Sequence, residues 1–439
     1  MNRNRSREIF EENRKRIPGG VVSLNRAVEP TIVFVRGNGS RVWDVDGNEY
    51  IDYHAGFAPY VLGHNDEDVN AAVQDVLATQ GTLMGAGPTS LEGRLAELVC
   101  ESVPSVDQVQ LTNTGSEASY HAVRIARAHT GRNGIIVMQG GYNGWHNDVA
   151  VNVMTPLDAI GPRVSPGEYR TAPISAGIPQ HVLEDIHVVN FNDLESVEHV
   201  ARSGDIGCII LEPILQNIGI VMPEEGYLEG LRKICDQHGI VLIFDEVKTG
   251  FRHGLGGYQA ICGVMPDLCI FGKAVANGYP IGAIGGRSDL MQYFIHPDPA
   301  RKVLIAGTYN AHPIPVAAAI ATIEKLARDG GRAYEHLYAS GEKLEQGLTA
   351  LFEEKGMTAS VIRQGSAFCV YFMDHQPQDW HDVAEHHDME LDVRYRKALI
   401  EEGIYHFPLA TKQGSISVAH TDADIEETLS KTEKVLGGL

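Results

Sequence analysis

The sequence predicts an α/β protein: a large domain built on a mostly parallel sheet sandwiched by helices, joined to a smaller α+β domain. Three observations predict it. Between about residues 106 and 285, six short apolar runs alternate with segments of helical periodicity, and each run is apolar throughout, as strands covered on both faces are. Beyond Pro313 the pattern changes to helices, then apolar strands, then helices again. The chain has 439 residues, 43% of them hydrophobic, which is enough for more than one domain-sized core.

The elements follow in order. Arg3 to Arg16 interleaves arginines with Glu8, Glu11 and Glu12 and reads as a solvated helix, an arm on the main body. Thr31 to Tyr53 alternates apolar and polar residues around Asp46-Gly47, the pattern of short strands with a hairpin turn. Val69, Val73, Val76 and Leu77 mark one helix face, and Leu91, Leu95, Leu98 and Val99 a second. The six strand candidates are Val109–Leu111, Ile135–Met138, His187–Val189, Cys208–Leu211, Val241–Phe244 and Leu268–Phe271. The Pro- and Gly-rich stretch from 154 to 182 is longer than a connector needs and reads as a lid. Past Pro313 come two helix-rich stretches to about 355, strands within 358–373, a helix near 390–402, a short strand Ile416–Ala419 and a final helix. The domains expected are 1–65, an N-terminal arm and small β unit; 66–312, the large domain; and 313–439, the small domain, which the N-terminal segment joins.

Composition narrows the function. With 36 Lys+Arg against 57 Asp+Glu the formal charge is −21, which repels nucleic acid and anionic membrane surfaces. No stretch approaches the roughly 20 apolar residues of a membrane helix, and the start has no apolar core of a secretory signal, so a cytoplasmic location is expected. The six cysteines are scattered without CxxC spacing and read as reduced and structural. His381, His386 and His387 lie among acidic residues without HExxH spacing, which suggests an exposed acidic loop, and no metal is expected.

The strongest local signal is Val241-Leu-Ile-Phe-Asp245, an apolar run that delivers a carboxylate to the C-terminal end of a strand, where open α/β sheets bind ligands. Alone, Asp245 fits a metal ligand, a helix cap or a nucleotide-hydrolysis carboxylate equally well. Its partner is Leu268-Cys-Ile-Phe-Gly272-Lys273, another run, ending in a lysine at a separation that fits one crossover and a return to the neighbouring strand. The plain alternative is a surface lysine after a strand. An amine facing a carboxylate at a sheet edge suits pyridoxal phosphate, with Lys273 as Schiff-base lysine and Asp245 keeping the pyridine nitrogen protonated. Leu111-Thr-Asn-Thr-Gly115-Ser116 then offers a phosphate site, because a strand, small residues and a helix start aim free N–H groups at an anion. Taken alone it is equally a helix cap. No GxxxxGK[ST] or GxGxxG fingerprint is present.

With these residues in this order, the chain resembles the class III, fold-type I pyridoxal-phosphate aminotransferases, and within them the glutamate-1-semialdehyde aminomutase branch. The resemblance spans nearly the whole chain, through Pro18-Gly-Gly20, Leu62-Gly-His64, Gly140-Gly-Tyr142-Asn-Gly144, Leu211-Glu-Pro213, Phe244-Asp-Glu-Val247, Gly272-Lys273, Gly307-Thr308 and Ser417-Val-Ala-His420. It implies a seven-stranded, mostly parallel sheet in the large domain, with Lys273 and Asp245 catalytic and Gly115 and Ser116 binding phosphate. It also implies that Tyr142 stacks on the cofactor ring and that Glu212 and Asn217 lie near its phenolic oxygen. Thr308 is implied to reach the phosphate from the other subunit, giving a homodimer with shared sites. Arg26 resembles the clamp for a substrate carboxylate, a task suited to a guanidinium. Phe57 and Tyr60 fall where the family has pocket aromatics, though core packing explains them equally.

Four departures bear on the substrate. Tyr142-Asn143-Gly144 replaces the usual Tyr-His-Gly, Ala276-Asn-Gly-Tyr279 replaces a glycine-rich stretch, and Tyr309-Asn-Ala-His-Pro313 replaces a Gly-Asn-Pro ending. Thr411-Lys412-Gln413-Gly414 stands where aminomutases have Phe-Glu-Ala-Gly, putting Lys412 in place of a pocket glutamate. The expected function is therefore an aminotransferase between a carboxylate-bearing amino acid, β-amino or otherwise unusual, and a 2-keto acid. The alternatives are an isomerase, either the aminomutase or a pyridoxal-phosphate racemase, and a catalytically silent scaffold, against which the intact Lys273, Asp245 and Thr308 argue.

Overall fold

A computed structural model describes residues 1–82 and 87–439. The chain divides into two compact units: Asp68–Tyr334 with Pro377–His386, and Met1–Glu67 with Glu335–Gln376 and His387–Leu439. The sequence reading puts the boundary at 313. The helix Pro313–Ala327 instead stays with the large unit, because its apolar face, including Val316, Ala319 and Ile323, packs on the turn Lys273–Ala276 and the helix Ser90–Ser102.

Strands β1 (Phe34–Asn38), β2 (Arg41–Asp44) and β3 (Glu49–Asp52) form an antiparallel meander turning at Gly47, whose φ of +87° suits glycine. The large unit then carries β4 (Gln108–Thr112), β5 (Gly134–Met138), β6 (Ile186–Val189), β7 (Ile206–Leu211), β8 (Val241–Asp245), β9 (Leu268–Gly272) and β10 (Gly282–Gly286). These make one seven-stranded sheet in the order β4-β10-β9-β8-β7-β5-β6, parallel except for β10, which is antiparallel to both neighbours. The sheet core is buried on both faces, and the helix Gly115–Thr130 lays Ala118, Ala122, Ile125 and Ala126 against it. Strand β10 is absent from the strand candidates because it is mostly glycine. A Cβ on Gly282 would sit 2.3 Å from the Thr114 carbonyl oxygen, so the close approach of β10 to the β4 turn requires that glycine.

The small unit adds β11 (Ser360–Gln364), β12 (Ala367–Tyr371), β13 (Ile404–Tyr405) and β14 (Gly414–Ser415). Strand β13 pairs in parallel with β3, and β14 extends the β11–β12 hairpin. The N-terminal segment is tied to the final helix Asp422–Leu436: Arg41 pairs with Asp424 and Glu427, and Tyr53 shares a buried 2.9 Å hydrogen bond with Thr428. The short strand expected at 416–419 is Gly414–Ser415, and Leu77, expected on a buried helix face, is 49% exposed.

The expected exposed loop at 381–387 is corrected. Trp380–His386 is a helix, and His381 and His387 are buried. The His381 ring meets Gln139 and Asn190 at 3.1 Å each, while His387 Nδ1 accepts the Phe372 N–H and its Nε2 meets Asp392. Buried imidazoles need such partners, and here they come from distant sequence. The 154–182 stretch contains two one-turn helices and is pinned by a bridge from Tyr169 to Val188 and by the Trp380 indole N–H on the Thr155 carbonyl. Among the described residues no helix is long and apolar enough to cross a membrane. Cys208, Cys235, Cys269 and Cys369 are free thiols in the core.

Candidate active site

Asp245 and Lys273 end adjacent parallel strands. In the β8–β9 register Asp245 lies beside Ile270, three residues before Lys273, so both side chains start from the same edge of the sheet. Lys273 has φ +47°, a left-handed conformation that costs a non-glycine residue energy and recurs at functional positions. Among the described residues it makes no hydrogen bond or ion pair. Burial lowers its pKa, opposed by the negative charges of Asp245 and Glu212.

Asp245 is buried, and its two donors are neutral: the Asn143 amide to Oδ2 at 2.9 Å and the Val247 N–H to Oδ1 at 3.1 Å. No cation lies within ion-pair distance of it among the described residues. Burial, together with the neighbouring Glu212 charge, pushes its carboxyl up to about 7. Glu212, immediately after β7, accepts the N–H of Tyr142 at 3.0 Å and of Gln216 at 3.1 Å. Asn217 lies in the loop closed by the Leu215–Val221 bridge.

The phosphate motif is the turn from β4 into the helix Gly115–Thr130. Thr114 caps that helix, its hydroxyl accepting the Glu117 N–H. The N–H groups of Gly115 and Ser116 have no hydrogen-bond partner among the described residues, the state in which a helix start receives an anion. Gly115 is required there, since a Cβ would sit 2.6 Å from Val247 Cγ2. Tyr142 is half-buried on the loop after β5, and burial raises its pKa. Thr308 is exposed, on a loop held by Asn310 Oδ1, which accepts from the Asn113 amide at 2.9 Å.

The remaining sequence-derived residues belong to the small unit. Arg26 is exposed at the end of the one-turn helix Leu24–Arg26. Phe57, at φ +70°, packs its ring on His54 and Phe407, 4.3 and 4.9 Å between centroids. Tyr60 packs on His64. Lys412 is half-buried next to Thr411, whose N–H donates to the buried Asp392. The sequence marks Asn143 only as a departure from Tyr-His-Gly; nothing except its place beside Tyr142 signals its contact with Asp245.

These features fit pyridoxal phosphate: unpartnered N–H groups for the phosphate, a buried carboxylate lacking a cation for the protonated ring nitrogen, and an unpaired amine at the neighbouring strand end. A model of the family described as aminotransferase class-III matches residues 23–436. A glutamate-1-semialdehyde 2,1-aminomutase 2 of Brevibacillus brevis is 38% identical over 442 residues, covering 99% of each chain. An omega-transaminase from Sphaerobacter thermophilus superposes with a TM-score of 0.90 at 30% identity, covering 100% of this chain and 99% of that one. A transaminase with PLP bound gives 0.87 at 28% identity, covering 100% and 98%. With the lysine, the carboxylate and the turn from β4 into its helix on the fold of these proteins, the chain belongs to the class III, fold-type I, pyridoxal-phosphate-dependent aminotransferase family.

Proposed function

We propose that the protein moves the amino group of a small carboxylate-bearing substrate, and that the reaction is an internal exchange of the glutamate-1-semialdehyde 2,1-aminomutase kind. The observation that carries this reading is end-to-end similarity to an enzyme of that name, 38% identity covering 99% of both chains. It fits the named relatives better than the aminotransferase expected from the departures at Asn143 and Lys412. Transamination between two molecules is the second reading, favoured by Lys412 in place of the aminomutase glutamate and by the likeness to an omega-transaminase.

When bound, pyridoxal phosphate supplies an aldehyde for the substrate amine and an electron-withdrawing ring. Gly115 and Ser116 would hold the phosphate and Tyr142 would cover the ring. Asp245 would meet the ring nitrogen, whose protonated form would satisfy the buried carboxylate and keep it ionised. Lys273 moves the proton: burial favours its neutral amine, which can accept a proton from the substrate carbon and return it elsewhere. By resemblance to the family, Glu212 and Asn217 would contact the phenolic oxygen, Arg26 would clamp the substrate carboxylate, and Phe57 and Lys412 would contact the substrate. Thr308, exposed in the single chain, completes the phosphate site of a second copy, making a homodimer.

The test is glutamate-1-semialdehyde supplied with and without a keto acid. Formation of the isomer with its amino group moved from carbon 2 to carbon 1, independent of any keto acid, is expected. Strict dependence on a keto acid acceptor makes the enzyme an aminotransferase, and a change only in the handedness of an amino acid makes it a racemase.

A further inference from the structure

The loop that carries Tyr142 continues along one face of the helix Gly115–Thr130 and is fastened to it at three levels. The Trp145 N–H donates to Ser116 Oγ at 3.3 Å, His146 Nε2 meets Ser119 Oγ at 3.0 Å, and Arg127 donates to Asp148 Oδ1 at 2.7 Å. Residues 116, 119 and 127 lie on one side of a helix. The His146 ring also packs on Tyr120, 5.0 Å between centroids. Gly144 permits the close approach: at φ +127°, a Cβ there would sit 2.9 Å from Ser119 Oγ and 3.1 Å from Ser116 Oγ.

Ser119, His146 and Asp148 are all buried, at 0%, 6% and 7% exposure, and nothing in the amino-transfer chemistry uses them. Their grouping is that of a hydrolytic triad, but the geometry assigns another task. Ser119 Oγ lies 3.1 Å from the Ser116 carbonyl, and with the hydroxyl proton directed at that oxygen His146 Nε2–H is the donor to Ser119. The hydroxyl is fully enclosed and cannot reach a substrate. On the far side, His146 Nδ1 lies 3.5 Å from Asp148 Oδ2 without a hydrogen bond to it, so the ring is held by Ser119 and by its packing on Tyr120. Burial would raise the Asp148 carboxyl, but His146 and Arg127 hold it below the usual range.

We propose that His146 is a positioning residue for the phosphate cradle: packed on Tyr120 beside the Arg127–Asp148 pair, it acts through Ser119 on the Ser116 carbonyl and fixes the Gly115 and Ser116 N–H groups relative to Tyr142. This rests on the reading of Gly115 and Ser116 as phosphate ligands. A brace of this kind sets the distance between the phosphate anchor and the ring. Its loss should be felt by a ligand that has both groups and not by one that has the ring alone.

The test compares binding of pyridoxal phosphate with binding of pyridoxal, which lacks the phosphate, to the cofactor-free protein by tryptophan fluorescence. Ser119→Ala and His146→Phe should each weaken pyridoxal phosphate about tenfold, the scale of one lost buried hydrogen bond, while pyridoxal changes less than about twofold. His146→Gln, whose amide can occupy the Nε2 donor position, should restore most of the difference. Equal weakening of both ligands, or no change in either, overturns the proposal. Ser116→Asp separates the two readings. It places a negative charge at the cradle and should selectively abolish pyridoxal phosphate binding. If it does so while Ser119→Ala and His146→Phe are unselective, the relay alone is wrong; if Ser116→Asp leaves pyridoxal phosphate tightly bound, the cradle reading falls, and the relay with it.

Discussion

Replacing Asp245 with asparagine should make the cofactor-free protein more stable above pH 7 while weakening its hold on the cofactor. In the folded chain without a cation, the Asp245 carboxyl is pushed from an ordinary 3.8 up to about 7. Folding then takes up a proton between those two values, so the stability it contributes is fully present below about pH 4 and is lost as pH rises to 7. At roughly 1.4 kcal/mol per unit, the whole effect is on the order of 4 kcal/mol, and more than half of it falls between pH 5 and pH 8. The amide of the Asp245→Asn variant does not titrate, so thermal unfolding of both cofactor-free proteins across this range isolates the effect. The wild type should lose stability relative to Asp245→Asn as pH rises, and adding pyridoxal phosphate should reverse the order, because a ring cation then favours the ionised carboxylate. Parallel stability curves from pH 5 to pH 8 would refute the claim that Asp245 is a buried carboxylate awaiting a cation.

Lys273→Ala should abolish turnover, and borohydride reduction of the wild-type holoenzyme followed by peptide mass spectrometry should find the cofactor on Lys273. Gly282→Ala should cost about 1–3 kcal/mol of stability by overpacking, since its Cβ would sit 2.3 Å from the Thr114 carbonyl oxygen; melting temperature reads the first effect and pyridoxal phosphate affinity the accompanying distortion of the anion-binding turn. Arg26→Ala should lower kcat/KM for carboxylate-bearing substrates several-fold, by about 1 kcal/mol for so exposed a charge, with uncharged amines little affected; an equal loss for both would remove Arg26 from the substrate site. Hybrid dimers of Lys273→Ala and Thr308→Asp subunits should regain activity that neither parent has, and an active monomer would contradict shared sites.

The sheet and the two central residues were legible because their physics is local: an apolar run covered on both faces writes itself as consecutive Val, Ile, Leu and Phe, and a charged residue at its end stands out. Lys273 and Asp245 are found that way. Strand β10 is not, because a strand chosen for close backbone approach is written in glycine, which carries no β signal. The histidines at 381 and 387 mislead for the opposite reason. Their sequence neighbours are acidic, while the groups that make their burial tolerable, Asn190 and Gln139 for one and Asp392 for the other, are supplied by the fold. Asn143 and His146 lie close after Tyr142 in the chain, yet only the three-dimensional path of that loop shows which helix and which carboxylate they reach.

Among the described residues, strand β4 has a single neighbour in the sheet, β10, whose Gly282 pairs with Thr112. A nascent chain therefore presents β4, and the turn that follows it, with neither edge paired until residue 286 has left the ribosome. Pairings so far apart in sequence form late and slowly, and an unpaired strand edge invites association with other chains in the meantime. If this turn holds the phosphate as proposed, cofactor capture should wait for completion of the large unit. A fragment that stops before Gly282 retains Asp245 and Lys273 but has no partner for the strand that positions the phosphate turn, so it should accumulate as an aggregation-prone intermediate that pyridoxal phosphate cannot rescue.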